Sequence, residues 1–134
     1  MCIAKYVQKH HDSFFFVIRL LAGFLFFSHG AQKLLGWFGG QQVPSLASLM
    51  GVAGIVELAA GLAILVGLFT RLAAVVSAVQ MLVAYFMVHA GGGWNPLVNK
   101  GEMAILYLCL FLALMLHGNG KWSLEKALLK KEIF

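Results

Sequence analysis

The sequence predicts an all-α, polytopic membrane protein: an antiparallel bundle of four transmembrane helices with both termini cytoplasmic. Of its residues 61% are hydrophobic and only 11% charged, and the mean hydropathy is +0.88, far from the mix of a soluble globular domain. Its 134 residues divide into four apolar stretches, each near the ~20 residues that cover ~30 Å of hydrocarbon. Lys and Arg sort to alternate ends of those stretches. With both ends inside, the cytoplasmic face holds Lys5, Lys9, Arg71, Lys121, Lys126, Lys130 and Lys131, and the outer connections hold Lys33 and Lys100, as the positive-inside rule requires.

The first span is expected over Phe14–Leu35. It is longer than the core of a signal peptide and contains Arg19, which favours a retained helix over a cleaved leader. Gly36-Trp-Phe-Gly-Gly40 to Pro44-Ser45 ends it, and Leu46–Phe69 follows, apolar or small apart from Glu57. Thr70-Arg71 separates this from Leu72–Val88. Gly91-Gly-Gly-Trp-Asn-Pro96 then leads into Glu102–Leu116, which stops at Gly118-Asn-Gly120. Short links make sequence neighbours pack antiparallel. Trp37 and Trp94 fall in the outer connections and Trp122 in the inner one, as interfacial aromatics do. In the tail from Ser123, Leu124 and Leu128 stand one turn apart with Lys126 and Lys130 on another face, predicting a short amphipathic helix on the inner leaflet. Residues 1–134 form one membrane domain, with no room for a separate soluble one.

Several function classes are excluded or disfavoured. Ten Lys and Arg against five Asp and Glu could point to nucleic acid, but the charges lie at span ends and in tails, where orientation accounts for them. Cys2 and Cys109 form no CxxC pair, which argues against a dithiol redox enzyme and a disulfide framework. No haem, nucleotide-binding or Ser/His/Asp motif is visible, and the three glycines from Gly91 sit in a loop where turn-making suffices. No metal site is expected: His10-His11 reads as an exposed tail pair, and His29, His89 and Glu102 lack ligand spacing.

The faces of the helices point to a polar interior. Arg19, Gly23, Phe26, Gly30 and Lys33 recur in steps of four and three along the first span, and Ala47, Gly51, Gly54 and Gly61 line one side of the second, with Glu57 close by. The expected inward residues of the third are Ala73, Ser77, Gln80, Ala84 and Met87. Those of the fourth are Glu102, Leu106, Cys109, Ala113 and Leu116. A carboxylate near the bilayer centre costs a few kcal/mol and usually has a partner or a job. Depth along the helices makes Arg19 a geometrically feasible partner for Glu57. Two roles stay open for Glu57: a structural ion pair that locks two helices, or a proton-handling carboxylate tuned by a cation. His29, Lys33, His89, Lys100 and Glu102 all fall toward the outer mouth, where they and Gln80 could form a polar pocket. The plainer alternatives are headgroup snorkelling for Lys33, a solvated helix end for His89, and a favourable first-turn acid for Glu102.

Taken together, Arg19-Leu-Leu-Ala-Gly23, Ser28-His-Gly-Ala-Gln-Lys33-Leu-Leu-Gly36-Trp-Phe-Gly-Gly40, Gly54-Ile-Val-Glu57-Leu-Ala-Ala-Gly61, Gly67-Leu-Phe-Thr-Arg71, Lys100-Gly-Glu102 and Gly118-Asn-Gly-Lys-Trp-Ser123-Leu resemble the DoxX family of small bacterial membrane proteins. The resemblance covers nearly the whole chain. It departs at Asn119, where Pro is expected, and at Glu125, where an Asp is expected directly after Leu124. It implies a multi-pass protein of the bacterial inner membrane, related to the membrane subunit of an archaeal thiosulfate:quinone oxidoreductase and to proteins linked to oxidative and thiol stress. On that analogy Arg19, His29, Lys33, Glu57 and Glu102 would line a site for a quinone or small polar ligand.

Three functions are compatible with these residues. One is a quinone-linked redox subunit, with His29, Lys33 and Glu102 beside Phe24, Phe26 and Phe27, and with electrons from a membrane or cytoplasmic partner. Another is a non-catalytic organiser that docks partner enzymes through its basic tail. The third is a proton-coupled carrier of a small solute, for which four helices are few unless the chain forms a homo-oligomer. Nucleic acid is not an expected partner.

Overall fold

The computed structural model describes residues 2–133. Met1, Phe134 and the Cys2 side chain lie outside it, and with them the last residue of the expected tail helix and the Cys2 thiol. Among the described residues the fold is entirely helical: α1 (Cys2–Leu35), α2 (Leu49–Val66), α3 (Thr70–Ala84), α4 (Glu102–His117) and α5 (Leu124–Leu129). A 3₁₀ turn follows α1 at Trp37–Gly39, and a π turn at Tyr85–His89 carries α3 on to the 3₁₀ turn Ala90–Gly92. Among the described residues, three helical stretches are long and apolar enough to cross a membrane: Ile3–Leu35, Leu49–Val66 and Thr70–Gly92. Apolar α4 has 16 residues, about 24 Å at the helical rise.

Helix α1 starts well before the expected Phe14. No Gly or Pro interrupts residues 2–13, so once the apolar part is helical each further residue adds a hydrogen bond without a new nucleation cost. Ser48 caps α2, its hydroxyl accepting the Gly51 N–H at 3.0 Å. Gly67 ends α2 in the left-handed conformation at φ 71°, which costs glycine little, and donates its N–H back to the last turn.

Packing is closest between α1 and α2. A Cβ on Gly23 would collide with the Leu65 backbone, one on Gly30 with the Leu58 backbone, and one on Gly61 with the Phe27 backbone. Association in a bilayer relies on such close approach rather than on a hydrophobic force. The expected inward residues Arg19, Gly23, Phe26 and Gly30 of α1, and Gly51, Gly54, Glu57 and Gly61 of α2, are buried. Ala47 is exposed and precedes α2. In α3, Ala73 and Ser77 are buried and Gln80 and Ala84 half-buried, but Met87, in the π turn that follows, is exposed. Helix α4 faces inward differently from expectation. Its buried residues are Ala104, Tyr107, Phe111 and Leu114, whereas Glu102, Leu106, Cys109, Ala113 and Leu116 are exposed. Phe26, Tyr107 and Phe111 form an aromatic cluster at the centre, with ring centroids 4.6–5.7 Å apart.

The tail also departs from the expected surface helix. Helix α5 is only six residues long, and its Glu125 is fully buried. The Glu125 carboxylate accepts the N–H of Phe69 at 3.0 Å, that of Ile133 at 2.6 Å, and a hydrogen bond from the Asn119 side-chain amide. Asn119 Oδ1 in turn accepts the Thr70 N–H at 3.3 Å. Leu124 and Leu128 remain exposed. The tail is therefore plugged into the end of the bundle by polar groups, and the two departures from the family pattern, Asn119 and Glu125, are partners in that plug. Asn119→Ala would strand the Thr70 N–H, at about 1–3 kcal/mol for a buried group left unpaired, and would remove one donor from Glu125 Oε2, which keeps the Phe69 N–H. The expected result is a clearly lowered midpoint of thermal unfolding in detergent, with the α1–α4 helical signal retained before the transition.

Candidate functional site

Glu57 lies on the buried side of α2, and α1 presents Lys33 to it. Lys33 Nζ donates to both Glu57 oxygens, each at 2.5 Å. The carboxylate is nearly closed off, with 5% of the side chain exposed, while Lys33 keeps 23%. From α3, Gln80 Nε2 donates to Glu57 Oε1 at 2.9 Å and to the Ala53 carbonyl at 3.3 Å. The Gln80 Oε1 acceptor is buried and has no partner among the described residues. Three helices thus converge on one carboxylate, and an open acceptor stands beside it.

The expected Arg19–Glu57 pair is not what the fold builds. Arg19 is buried at the opposite end, where its guanidinium donates to the carbonyls of Asn119 at 2.5 Å and Trp122 at 2.9 Å and lies over the Phe16 ring. The carbonyls of the chain reversal after α4 offer Arg19 short hydrogen bonds, whereas Glu57 is already covered by Lys33. Lys33 does not snorkel outward either; it turns back along the bundle to the carboxylate.

Two cavities meet at this pair. A cleft of about 290 Å³ runs between α2 and α3, walled by Met50, Val52, Val56, Val76, Val79 and Val83, and ends on Lys33, Glu57 and Gln80. Most of those walls are exposed on the side of the bundle, so the cleft is open laterally and almost wholly apolar until its floor. A second cavity of about 230 Å³ lies across the pair among α1, α3 and α4, lined by Phe26, His29, His89, Met103 and Tyr107. Lys33 and Glu57 line both.

Of the residues expected at the site, Lys33, Glu57 and Gln80 are brought into direct contact. His29 and His89 join them only through the second cavity. The His29 ring meets Tyr107 edge-on at 5.8 Å and is otherwise exposed. The His89 Nδ1 lies 3.1 Å from the Asn99 carbonyl, a contact that assigns Nδ1 as the protonated nitrogen. Glu102 and Lys100 are exposed and line neither cavity. The fold adds Tyr107 and Asn99 to the residues expected here. Asn99 organises the connection into α4, donating to Gly93 O and Tyr85 Oη and accepting the Gly101 N–H. Tyr107 had a signal in the sequence, as a phenol within an apolar span that tends to keep its hydroxyl near polar company.

The DoxX family profile matches residues 14–90, the segment that carries Arg19, Lys33, Glu57 and Gln80. The chain belongs to the DoxX family. This DoxX protein is 34% identical over 132 residues to an uncharacterized protein of Haemophilus influenzae, covering 93% of this chain and 98% of the relative. It is 33% identical to the inner membrane protein YqjF of Escherichia coli, covering 93% and 99%. It is 30% identical to the uncharacterized membrane protein Rv3486 of Mycobacterium tuberculosis, covering 85% and 80%. No solved structure matches. These relatives and the apolar helices make this DoxX chain a membrane protein.

Proposed function

We propose that this DoxX protein holds the headgroup of a quinone-type lipid against Lys33, Glu57 and Gln80, as the membrane subunit of a redox system. The observation that carries this reading is the lateral cleft: apolar along its walls, polar only at its floor, and open where lipid would be. A quinone needs such a slot for its ring and tail, with donors and a proton-exchanging group at its carbonyls. Lys33 supplies a donor, Glu57 the exchanging carboxylate, and the unpartnered Gln80 Oε1 an acceptor for the hydroxyl of the reduced form. Reduction of the quinone to the quinol takes two electrons from a redox partner protein and two protons. The second cavity, with His29, His89 and Tyr107, gives Glu57 a wet side from which protons reach it.

In this reading α4 crosses the bilayer with α1, α2 and α3, giving four spans in the bacterial inner membrane. The end bearing His11, Asp12, His117 and Lys121 then faces the cytoplasm, in keeping with the excess of Lys and Arg at that end. The tail-docking organiser gains less support, because Glu125 and Asn119 are turned inward.

Binding of a short-chain benzoquinone to the purified protein in nanodiscs tests the proposal. Saturable binding is expected, weakened about tenfold by Gln80→Leu through loss of a hydrogen-bonding partner worth about 1.5 kcal/mol and abolished by Val79→Trp, which fills the cleft from its exposed rim. No saturable binding, or binding indifferent to both substitutions, would falsify it.

A further inference from the structure

At the end of the bundle away from the Glu57 site, α1 and α4 bring together three potential metal ligands. His11 and Asp12 lie on the part of α1 that precedes the apolar span, and His117 is the last residue of α4. One ligand atom from each, an imidazole nitrogen of His11 and of His117 and a carboxylate oxygen of Asp12, all lie within 4.8 Å of one another. Judged by its sequence neighbours alone, His11 is half of an exposed tail pair. Its partner in space is 106 residues away.

The two imidazoles are held, not merely adjacent. The His117 ring stacks on Phe15 at 3.5 Å between centroids, and the His11 ring lies 5.0 Å from that of His117. Phe15 follows His11 by one helical turn, so a single face of α1 both offers His11 and braces His117. His10, by contrast, points to Tyr6, at 4.5 Å between ring centroids. Asp12 already has partners on both oxygens: His11 Nδ1 is 3.4 Å from Oδ1, and Lys121 Nζ is 3.5 Å from Oδ2.

We propose that His11, Asp12 and His117 bind a divalent transition-metal ion such as Zn²⁺ or Co²⁺. Two imidazoles and one carboxylate suit a borderline ion and leave a fourth position for water or a further ligand. Bonds of about 2.0–2.1 Å place tetrahedral ligand atoms about 3.3 Å apart, so the three side chains need to draw in by little more than ~1 Å. His11 and the Lys121 ammonium are exposed enough to move, Lys121 swinging off Asp12 as the ion arrives. Occupancy would pin the N-terminal turns of α1 to the junction of α4 and the tail plug. This site is independent of the quinone reading and shares no residue with it.

The experiment uses the full-length protein without a polyhistidine tag, stripped with chelator and titrated with Co²⁺ and then Zn²⁺ in detergent. One equivalent of Co²⁺ should give the visible d–d absorption of a four-coordinate ion, and Zn²⁺ should displace it and raise the unfolding midpoint. His117→Phe keeps the stack on Phe15, and Asp12→Asn keeps the shape. Each should weaken Zn²⁺ binding by more than about tenfold, since losing even a group behind a metal ligand costs that much. His10→Ala should leave binding unchanged, and Lys121→Met should tighten it, a gain that damage to the fold cannot produce. The proposal is overturned if stripped protein takes up no stoichiometric Co²⁺, or if uptake survives His117→Phe and Asp12→Asn together, or vanishes with His10→Ala.

Discussion

Glu57→Met alone is expected to destabilise the bundle more than Lys33→Met and Glu57→Met together. Removing the carboxylate leaves an ammonium facing a closed interior, and breaking a buried pair on one side costs about 3–5 kcal/mol. The cost here falls toward the lower end, because Lys33 retains 23% exposure and its long stem can carry the charge to the headgroups. Lys33→Met should cost at least as much: Glu57 is 5% exposed and its short side chain cannot reach water. In the double variant no charge is stranded, and replacement of a whole pair by apolar groups is often neutral or stabilising. Reversible unfolding in mixed micelles checks this through a double-mutant cycle, which isolates the coupling between the two positions. If the double variant loses the sum of what the two single variants lose, the two side chains are not coupled in the folded protein.

The same cycle separates holding the bundle together from chemistry. A purely structural pair predicts that the double variant, once stable, behaves as the parent does in every other assay. The proposed headgroup site predicts the opposite. The double variant should fold and yet fail to bind the benzoquinone, because the cleft floor would present only Gln80. Helices α1 and α3 both supply hydrogen bonds to one carboxylate on α2, and an acceptor is left open beside it. Locking two helices requires neither the third nor the open acceptor.

How much of this was legible in the sequence depends on what distinguishes one helix face from another. Along α1 and α2 the inward faces could be read because glycine differs from leucine: Gly23, Gly30, Gly54 and Gly61 recur at helical spacing, and only a close neighbour explains so many. Helix α4 carries little such contrast. Leu106, Leu108, Leu110, Leu112, Leu114 and Leu116 surround the axis, and where nearly every residue is apolar the period says nothing about direction. Tyr107 was the one usable marker. The pairing of Glu57 failed for a different reason. Depth along a helix restricts which cations can reach, but it leaves both Arg19 and Lys33 eligible. The choice is made by carbonyls at Asn119 and Trp122, about a hundred positions from Arg19, which no local pattern reveals. His11 and His117 belong to the same class of contact, made by the bundle and invisible from either neighbourhood.

Gly30→Ala and Gly23→Ala are each expected to destabilise the protein strongly, yet only Gly30→Ala should also impair the Glu57 site. In both cases the added methyl meets backbone of α2 rather than the end of a flexible side chain, so the strain can be relieved only by moving a helix. Overpacking of this kind costs about 1–3 kcal/mol and sometimes more. The two positions differ in what the shifted backbone carries. Gly23 faces Leu65, near the end of α2 closest to the tail plug. Gly30 faces Leu58, the neighbour of Glu57, and lies one turn from Lys33. Splaying the helices at Gly30 therefore lengthens the Lys33–Glu57 contact directly, whereas at Gly23 the displacement decays over two further turns. Unfolding midpoints should fall in both variants, while benzoquinone binding measured well below either midpoint should weaken only in Gly30→Ala. Ala59→Leu, on the exposed side of α2, adds more volume than either and should change neither quantity, because lipid yields where the α2 backbone does not. Equal loss of binding in Gly23→Ala and Gly30→Ala would mean that the site senses the general integrity of the bundle and not the local approach of α1 to α2.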